Sequence, residues 1–265
     1  MRERPQPVEI DASRLWVPAA YERAAEHLRE LHEVAGFLDV RVGTPELQRL
    51  DERRAVVVIP ITQGPRSLLY GVVLTGNDAL TTREVLEAAG LRREQPFSYL
   101  ALEDAKRRIL DAYQARGHYY ASIDSDVRFS SDRTRAALVL HASERFPVRV
   151  GEVIVRGLVE TNERLVRRVM PLERDALLTP ALLRSTQERL LELGVFTSVN
   201  VAPQDPELPA RVKPVEVTFA ERKTQYLDFR AGVSTGQGAR FGLSYGYRNL
   251  FGTAMSLTLA AQFGY

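Results

Sequence analysis

The stretch that decides the fold begins with residues 148–157, which read Val-Arg-Val-Gly-Glu-Val-Ile-Val-Arg-Gly. Its apolar run, Val153-Ile154-Val155, predicts a short strand, and two helical patterns follow it. Residues 194–201 then read Gly-Val-Phe-Thr-Ser-Val-Asn-Val, and a further strand-like run covers 215–219. The order strand, helix, helix, glycine–aromatic corner, strand, strand predicts one α+β module over residues 148–224.

The same order of elements recurs upstream, over residues 66–147. Aligning Gly76 with Gly157 places Val72-Val73-Leu74 on the first strand of the later module. Residues 117–120, Gly-His-Tyr-Tyr, repeat the glycine–aromatic corner, and a hairpin pattern follows them. Self-similarity at the spacing between Gly76 and Gly157 predicts a tandem array of small modules.

Residues 1–65 predict only the back half of a third module, a helix followed by two strands. The predicted elements are a loop or tail at 1–14, a helix from Trp16 to Gly36, strands at 37–42 and 55–61, and a polar loop at 43–54. The buried face of the helix should carry Tyr21, Ala24, Ala25, Leu28 and Leu31.

Each complete module should pack two helices on one face of a three-stranded sheet. Phe196 directly follows the corner of the later module, so it should turn beneath the helices into the core. We therefore interpret the glycine–aromatic pair as a requirement of the fold and not as a binding site. Modules of this size bury a modest core, and almost no linker separates residues 142 and 150, so neighbours should lean on one another.

The pattern changes at Tyr226, where apolar and polar or small residues begin to alternate strictly. Three such runs cover about 226–234, 240–248 and 255–264, with turns at 236–238 and 249–252. Runs of this kind are typical of transmembrane β-barrel strands. The alternative is a soluble antiparallel sheet with one buried face. Because open sheets do not cross membranes, at least about five further strands would be required, and we expect the chain to be an internal fragment.

The composition removes several other classes of function. Cysteine is absent, and the net charge is only +2, with basic and acidic residues interleaved, so neither thiolate chemistry nor nucleic-acid binding is expected. No apolar run is long enough for a transmembrane helix, and the first residues do not resemble a secretory signal. No spacing of histidine, aspartate, serine or glycine matches a metal site, a catalytic triad or a phosphate loop. We therefore predict a protein that is not an enzyme and has no cofactor or metal.

The ordered set of motifs resembles the BamA/TamA family of outer-membrane assembly factors, in which tandem POTRA modules precede a β-barrel. The resemblance covers roughly residues 16–265, and each motif is weak when taken alone. The segments that carry it are Val72–Asn77, Val153–Gly157 with Thr161-Asn162, Gly117–Ile123, Leu190–Phe196 with Val199–Val201, and Tyr247–Thr253.

The resemblance implies POTRA-like modules at 1–65 (partial), 66–147 and 148–224, and the first three strands of a barrel at 225–265. It implies a bacterial outer-membrane protein whose periplasmic modules receive unfolded outer-membrane proteins and whose barrel aids their insertion. Implied partners are those clients, membrane lipid, and accessory lipoproteins or an inner-membrane-anchored partner.

A three-stranded module leaves one edge strand unpaired, to which an extended client can add by backbone hydrogen bonds. The predicted client-binding edges are 119–129 and 197–203. The residues singled out with them are Tyr119, Tyr120, Ile123, Val127, Phe196, Val199 and Val201. The predicted first strand of the barrel, at its seam, carries Leu227, Phe229, Ala231, Gly232 and Val233. Gly232 either weakens pairing at that seam or relieves crowding in the barrel wall.

Two other functions remain open from the sequence. One is a secretion pore that exports a single dedicated partner, although such related proteins usually carry two modules and this chain indicates at least three. The other is a soluble scaffold of βααββ modules without a membrane role.

If the chain is an assembly factor, the last module is joined to the barrel by only Lys223-Thr224-Gln225. This short joint should couple the orientation of the module to the barrel mouth.

Overall fold

The computed structural model describes residues 17–51, 54–234 and 238–264. This part of the chain divides into two compact units. The first holds the described residues up to Asp111 together with Ser122–Ser143. The second holds Ala112–Ala121 and the residues from Glu144 onward.

The opening region consists of one helix and two small antiparallel ladders. Its elements are α1 (Pro18–Val34), β1 (Arg41–Val42), β2 (Glu46–Arg49), β3 (Ala55–Val58) and β4 (Ile61–Thr62). Strand β1 pairs with β4, and β2 pairs with β3. Pro18 starts α1, where a missing backbone N–H costs nothing, and Gly36 follows the helix with φ of 95°.

This region corrects two expectations from the sequence. Within the predicted buried face of the first helix, Ala25 is buried whereas Ala24 and Leu31 are exposed. Residues 43–54 were expected to form a loop, but they contribute β2. Pro60 lacks the N–H needed to continue one long ladder, so the predicted hairpin is divided into two short ones. The expectations for residues 1–16 lie outside the described residues.

The middle module is a three-stranded sheet with two helices. Its elements are β5 (Leu68–Thr75), α2 (Thr82–Ala89), α3 (Tyr99–Ala115), β6 (Ser122–Phe129) and β7 (Arg135–Ser143). The strand order is β5-β7-β6, with β5 parallel and β6 antiparallel to the central β7. Thr81 and Glu84 form a capping box at the start of α2, and Gly90 ends it in the left-handed conformation.

The last module repeats this architecture. Its elements are β8 (Arg149–Arg156), α4 (Glu163–Val169), α5 (Pro180–Glu192), β9 (Phe196–Pro203) and β10 (Val212–Glu221), with strand order β8-β10-β9. The ring of Phe196 is fully buried, with its centroid 4.6 Å from that of Phe219. The expectation that Phe196 turns into the core is therefore confirmed, and so is the predicted α+β class of tandem βααββ modules.

The final three strands form an antiparallel sheet in the order β11-β12-β13. They are β11 (Gln225–Ser234), β12 (Gly238–Leu250) and β13 (Met255–Gly264). Their register aligns Leu227 with Tyr245 and Leu259 in one apolar row. The predicted turn at 249–252 begins later than expected, because β12 continues to Leu250. Most of the predicted turn at 236–238 lies outside the described residues.

Among the helices that the structure describes, none combines the length and apolar character needed to cross a membrane.

Candidate functional site: open sheet edges and a buried junction

One edge of the middle module's sheet is covered by the module's own loop. The amide of Glu94 donates to the Leu69 carbonyl at 2.8 Å, and the Leu69 amide donates to Gln95 at 2.9 Å. A third bond joins the Phe97 amide to the Ser67 carbonyl at 2.9 Å. The loop before α3 therefore occupies hydrogen-bonding groups at the start of β5, where an added strand would otherwise pair.

The last module blocks the equivalent edge in the same way. The loop before α5 exchanges two 2.8 Å bonds with Val150, through the Asp175 amide and the Ala176 carbonyl. The Leu178 amide adds a 2.9 Å bond to the Val148 carbonyl. In the described chain, the opposite edges, β6 and β9, pair with no other strand on their outer side. These are the open edges of the two modules.

The structure places the residues predicted for the first edge in two groups. Ile123 and Val127 lie in β6, with Ile123 buried and Val127 partly buried. Tyr119 and Tyr120 precede the strand, which corrects their predicted edge position. Both rings pack against the core of the last module, and Tyr120 Oη donates to the Leu208 carbonyl at 2.9 Å. Burial raises the pKa of both tyrosines.

The residues predicted for the second edge all lie in β9. Phe196, Val199 and Val201 are buried in the module core, so they cannot meet a partner without unfolding. Ser198 and Asn200 point the other way and are exposed. A partner at this edge would therefore meet the backbone first, as the edge-pairing hypothesis requires.

The last module meets the final sheet at a second point besides the three-residue joint, which corrects the expectation of a single connection. Asn249 Nδ2 donates to Thr161 Oγ1 at 2.9 Å, and both residues are buried. The Asn162 amide donates to the Gly252 carbonyl at 3.0 Å. The turn between β12 and β13 is thus docked on the turn between β8 and α4. We call this contact the junction.

Glu221, the last residue of β10, organises the module side of the junction. Its carboxylate accepts the backbone N–H groups of Val159 at 3.2 Å, Glu160 at 2.9 Å and Thr161 at 2.9 Å. Burial raises the pKa of Glu221, but hydrogen bonds from the Thr161 side chain and these amides lower it by a larger amount. The net pKa therefore lies below its ordinary 4.5. The Thr161 hydroxyl therefore links Asn249 to this carboxylate.

Gly252 makes the close approach of the two turns possible. Its φ is 70°, and an added Cβ would lie 2.6 Å from the Glu160 carbonyl oxygen and 3.0 Å from the Asn162 nitrogen. A glycine is therefore needed both for backbone conformation and for space. The segments that hold Thr161 and Gly252 stand out in the sequence as separate motifs, but segments so far apart in the chain meet only through the fold.

The three-residue joint is itself held by hydrogen bonds. The Arg222 amide and Nε donate to the carbonyls of Val195 and Phe196, at 2.8 and 2.7 Å. On the far side, the Arg248 amide donates to the Thr224 carbonyl at 2.6 Å, and the Arg248 guanidinium lies 4.1 Å above the Tyr226 ring. The start of β9, the joint and the start of β11 are thereby tied together.

The predicted seam strand is β11, at one edge of the final sheet. Leu227 and Phe229 are 69% and 67% exposed, and Ala231 is also exposed. Gly232 pairs with Arg240, and an added Cβ there meets no described atom within 4 Å. Val233 pairs with Ala239 through its backbone, and its side chain lies outside the described residues.

No group of three or more potential metal ligands occurs among the residues that the structure describes. The carboxylate of Asp132 is occupied within its own turn between β6 and β7, where it accepts hydrogen bonds from Ser130 and Thr134. These bonds lower its pKa to about 2.

Comparison with known proteins agrees with this architecture. The chain is 23% identical over 236 residues to the outer membrane protein assembly factor BamA of Neorickettsia risticii (strain Illinois), a match that covers 89% of this chain and 31% of the relative. The chain therefore spans about a third of the length of the curated relatives it matches.

Two solved structures share the fold. One is BamA from Haemophilus ducreyi lacking POTRA domains 1–3, with a TM-score of 0.58 and 18% identity over 69% of this chain and 36% of that one. The other is POTRA domains 3–5 of Haemophilus influenzae BamA, with a TM-score of 0.54 and 17% identity over 81% of this chain and 92% of that one. Residues 70–145 and 148–222 each match the model of the surface antigen variable number repeat, or POTRA, and the chain accordingly belongs to the POTRA family.

Proposed function

We propose that this chain is part of a bacterial outer-membrane protein assembly factor. The observation that carries the proposal is the continuity of three features: tandem POTRA modules, one open edge on each complete module, and an antiparallel sheet docked on the last module. The relatives named as outer membrane protein assembly factors support the same function.

The final sheet supplies the membrane part of the proposal. One of its faces is a continuous apolar surface of exposed side chains, among them Leu227, Phe229, Leu259 and Phe263. Water is a poor solvent for such a face, whereas lipid accommodates it. We assign β11–β13 to the beginning of a transmembrane barrel, with β11 at its seam, and the modules to the periplasm.

The open edges supply the client-binding part. Strands β6 and β9 present free backbone groups, so an unfolded outer-membrane protein can add to either as an extra strand. Binding through the backbone tolerates many client sequences, as a general assembly factor requires. In this proposal the protein acts without catalysis, with accessory lipoproteins or an inner-membrane-anchored protein as further partners.

The test is depletion of the full-length protein in its own organism, followed by quantitative measurement of outer-membrane proteins. We expect many barrel proteins to fall together, and a plasmid-borne wild-type copy should restore them. Loss of one secreted protein alone would instead identify a dedicated secretion pore. Release of the full-length protein from membranes by salt, without detergent, would refute the assignment of β11–β13 to a barrel and leave a soluble scaffold.

A further inference from the structure

The two open edges differ in charge, and we infer that β9 of the last module, not β6, is the edge that receives client strands. The inference rests on the proposed function and adds to it a specific strand and a class of client. That class is an extended segment without charged residues in which apolar side chains alternate with small or polar ones.

The charge difference runs along the whole of each edge. Residues 196–203 of β9 read Phe-Thr-Ser-Val-Asn-Val-Ala-Pro and include no charged side chain. Residues 122–129 of β6 read Ser-Ile-Asp-Ser-Asp-Val-Arg-Phe, and Asp124, Asp126 and Arg128 are all exposed. Arg128 Nε donates to Asp126 at 3.0 Å but leaves Asp124 without that compensation.

An added strand brings its own side chains to within about 5 Å of those on the edge strand. Charged groups on β6 would lose part of their water shell as the partner arrives, and they are one of the means by which proteins protect open edges from pairing. The edge of β9 offers hydroxyl, amide and methyl groups instead. An uncharged partner can therefore approach β9 without that loss of hydration.

The length of the paired edge favours β6, so the choice of β9 rests on the difference in charge. All eight residues of β6 pair with β7 in unbroken register. In β9 the unbroken register with β10 covers only Ser198 to Pro203, because a bulge lies at Thr197, and Pro203 has no N–H to donate. A client held over so short an edge binds weakly, which suits a site that must release its client.

The position of β9 also favours it. Arg222 binds the carbonyls of Val195 and Phe196, so the start of β9 is fixed beside the joint that leads into β11. The junction holds the same module against the β12–β13 turn. A client on β9 therefore occupies the module that is attached to the membrane-directed sheet.

A suitable probe is a synthetic peptide with the sequence of residues 255–264, Met-Ser-Leu-Thr-Leu-Ala-Ala-Gln-Phe-Gly, which carries no charge and alternates as a barrel strand does. The experiment is amide hydrogen exchange of the full chain in detergent micelles, with and without this peptide. We expect the peptide to slow exchange at residues 197–202 and to leave β6 unchanged.

Paired variants test the role of charge. The double variant Ser198→Lys with Asn200→Lys should weaken peptide binding about tenfold, whereas Ser198→Ala with Asn200→Ala should retain it. Unchanged exchange in the buried core of the last module would show that both variants fold. The converse variant, Asp124→Asn with Asp126→Asn and Arg128→Gln, removes all three charges and should make β6 responsive to the peptide.

The outcomes separate the inference from the proposed function. Protection of β6, or of both edges equally, would overturn the choice of β9 while leaving edge binding by the modules intact. Protection confined to β11 or β13, or equal binding by the lysine and alanine variants, would overturn the inference as well. Protection of neither module edge would refute edge pairing itself, whereas the depletion experiment tests the proposed function independently.

Discussion

At the residue scale, two glycines in the final sheet show how differently the same amino acid is used. Gly252 adopts a φ of 70° and lies against the backbone of the last module, whereas a Cβ added at Gly232 would meet no described atom within 4 Å. The sequence drew attention to Gly232 because it interrupts a predicted seam strand. The structure makes Gly252 the constrained position, since its contacts come from a distant segment of the chain.

Replacing Gly252 with alanine should therefore disrupt the junction. The new Cβ would collide with the Glu160 carbonyl oxygen, and alanine disfavours this backbone conformation, so local stability should fall by about 1–3 kcal/mol. The measurement is hydrogen exchange at the Asn162 amide, which donates to Gly252.

Gly232→Ala is the matched control, because it adds the same methyl group in the same sheet without a predicted collision. Exchange at Asn162 should be unchanged in that variant. Equal effects of the two substitutions would show that close packing at Gly252 does not hold the junction together.

At the scale of elements, the caps and the repeated corner followed from local chemistry. Thr81 caps α2 with a side chain of the type that favours helix starts, and Gly90 ends that helix. Local chemistry does not predict where the aromatic rings lie in the glycine–aromatic corner of the middle module. Phe196 enters the core of its own module, but Tyr119 and Tyr120 pack against the core of the next one. Both corners obey the same local pattern, so only the neighbouring module decides where each ring goes.

The turn between β8 and α4 should loosen in acid, because Glu221 holds it through three backbone amides. The pKa of Glu221 is lower in the folded chain than its ordinary 4.5, so the stability it contributes is present above that pH. That contribution is lost as the pH falls through the folded-state pKa. Hydrogen exchange at residues 159–161, corrected for intrinsic rates, should therefore show weaker protection below pH 4.5.

Glu221→Gln provides the comparison for this effect, since it keeps the shape of the side chain and removes its titration. Its turn should be less protected at neutral pH, and the change in protection across the acid range should be smaller. An identical acid response in wild type and variant would assign the effect to another carboxyl group.

At the scale of the whole molecule, the last module and the final sheet are joined twice within one compact unit. The covalent joint is Lys223-Thr224-Gln225, and the noncovalent one is the junction centred on Thr161, Asn249 and Gly252. Two attachments restrict rotation in a way that one short linker cannot. Coupling between the module and the sheet therefore depends on both.

Under the proposed function, a flexible Gly-Ser insert after Lys223 should impair assembly of outer-membrane proteins without unfolding either part, because it uncouples the orientation of the last module from that of the final sheet. Because the junction remains, the insert alone should have a smaller effect than the insert combined with Asn249→Ala, and the two changes should not act independently. The measurement is complementation of a depleted strain, scored by the level of outer-membrane barrel proteins.

The control is the same insert placed between Pro209 and Ala210, in the loop between β9 and β10, after the Leu208 carbonyl that accepts from Tyr120. It adds equal length and flexibility away from the joint, so assembly should be retained. Full activity of the combined variant would show that assembly does not depend on a fixed orientation between the last module and the final sheet.

The sequence by itself determined the repeated α+β modules, the change to strict alternation at Tyr226 and the end of the first helix near Gly36. These features depend on periodicity, capping residues and glycine, which act over a few neighbouring positions. Tertiary structure alone decided that the loops before α3 and α5 bond to the start of the opposite edges, whereas the open edges at β6 and β9 were predicted from the sequence. It also decided that Asn249 meets Thr161, since a buried hydrogen bond between distant segments depends on how separately formed elements pack.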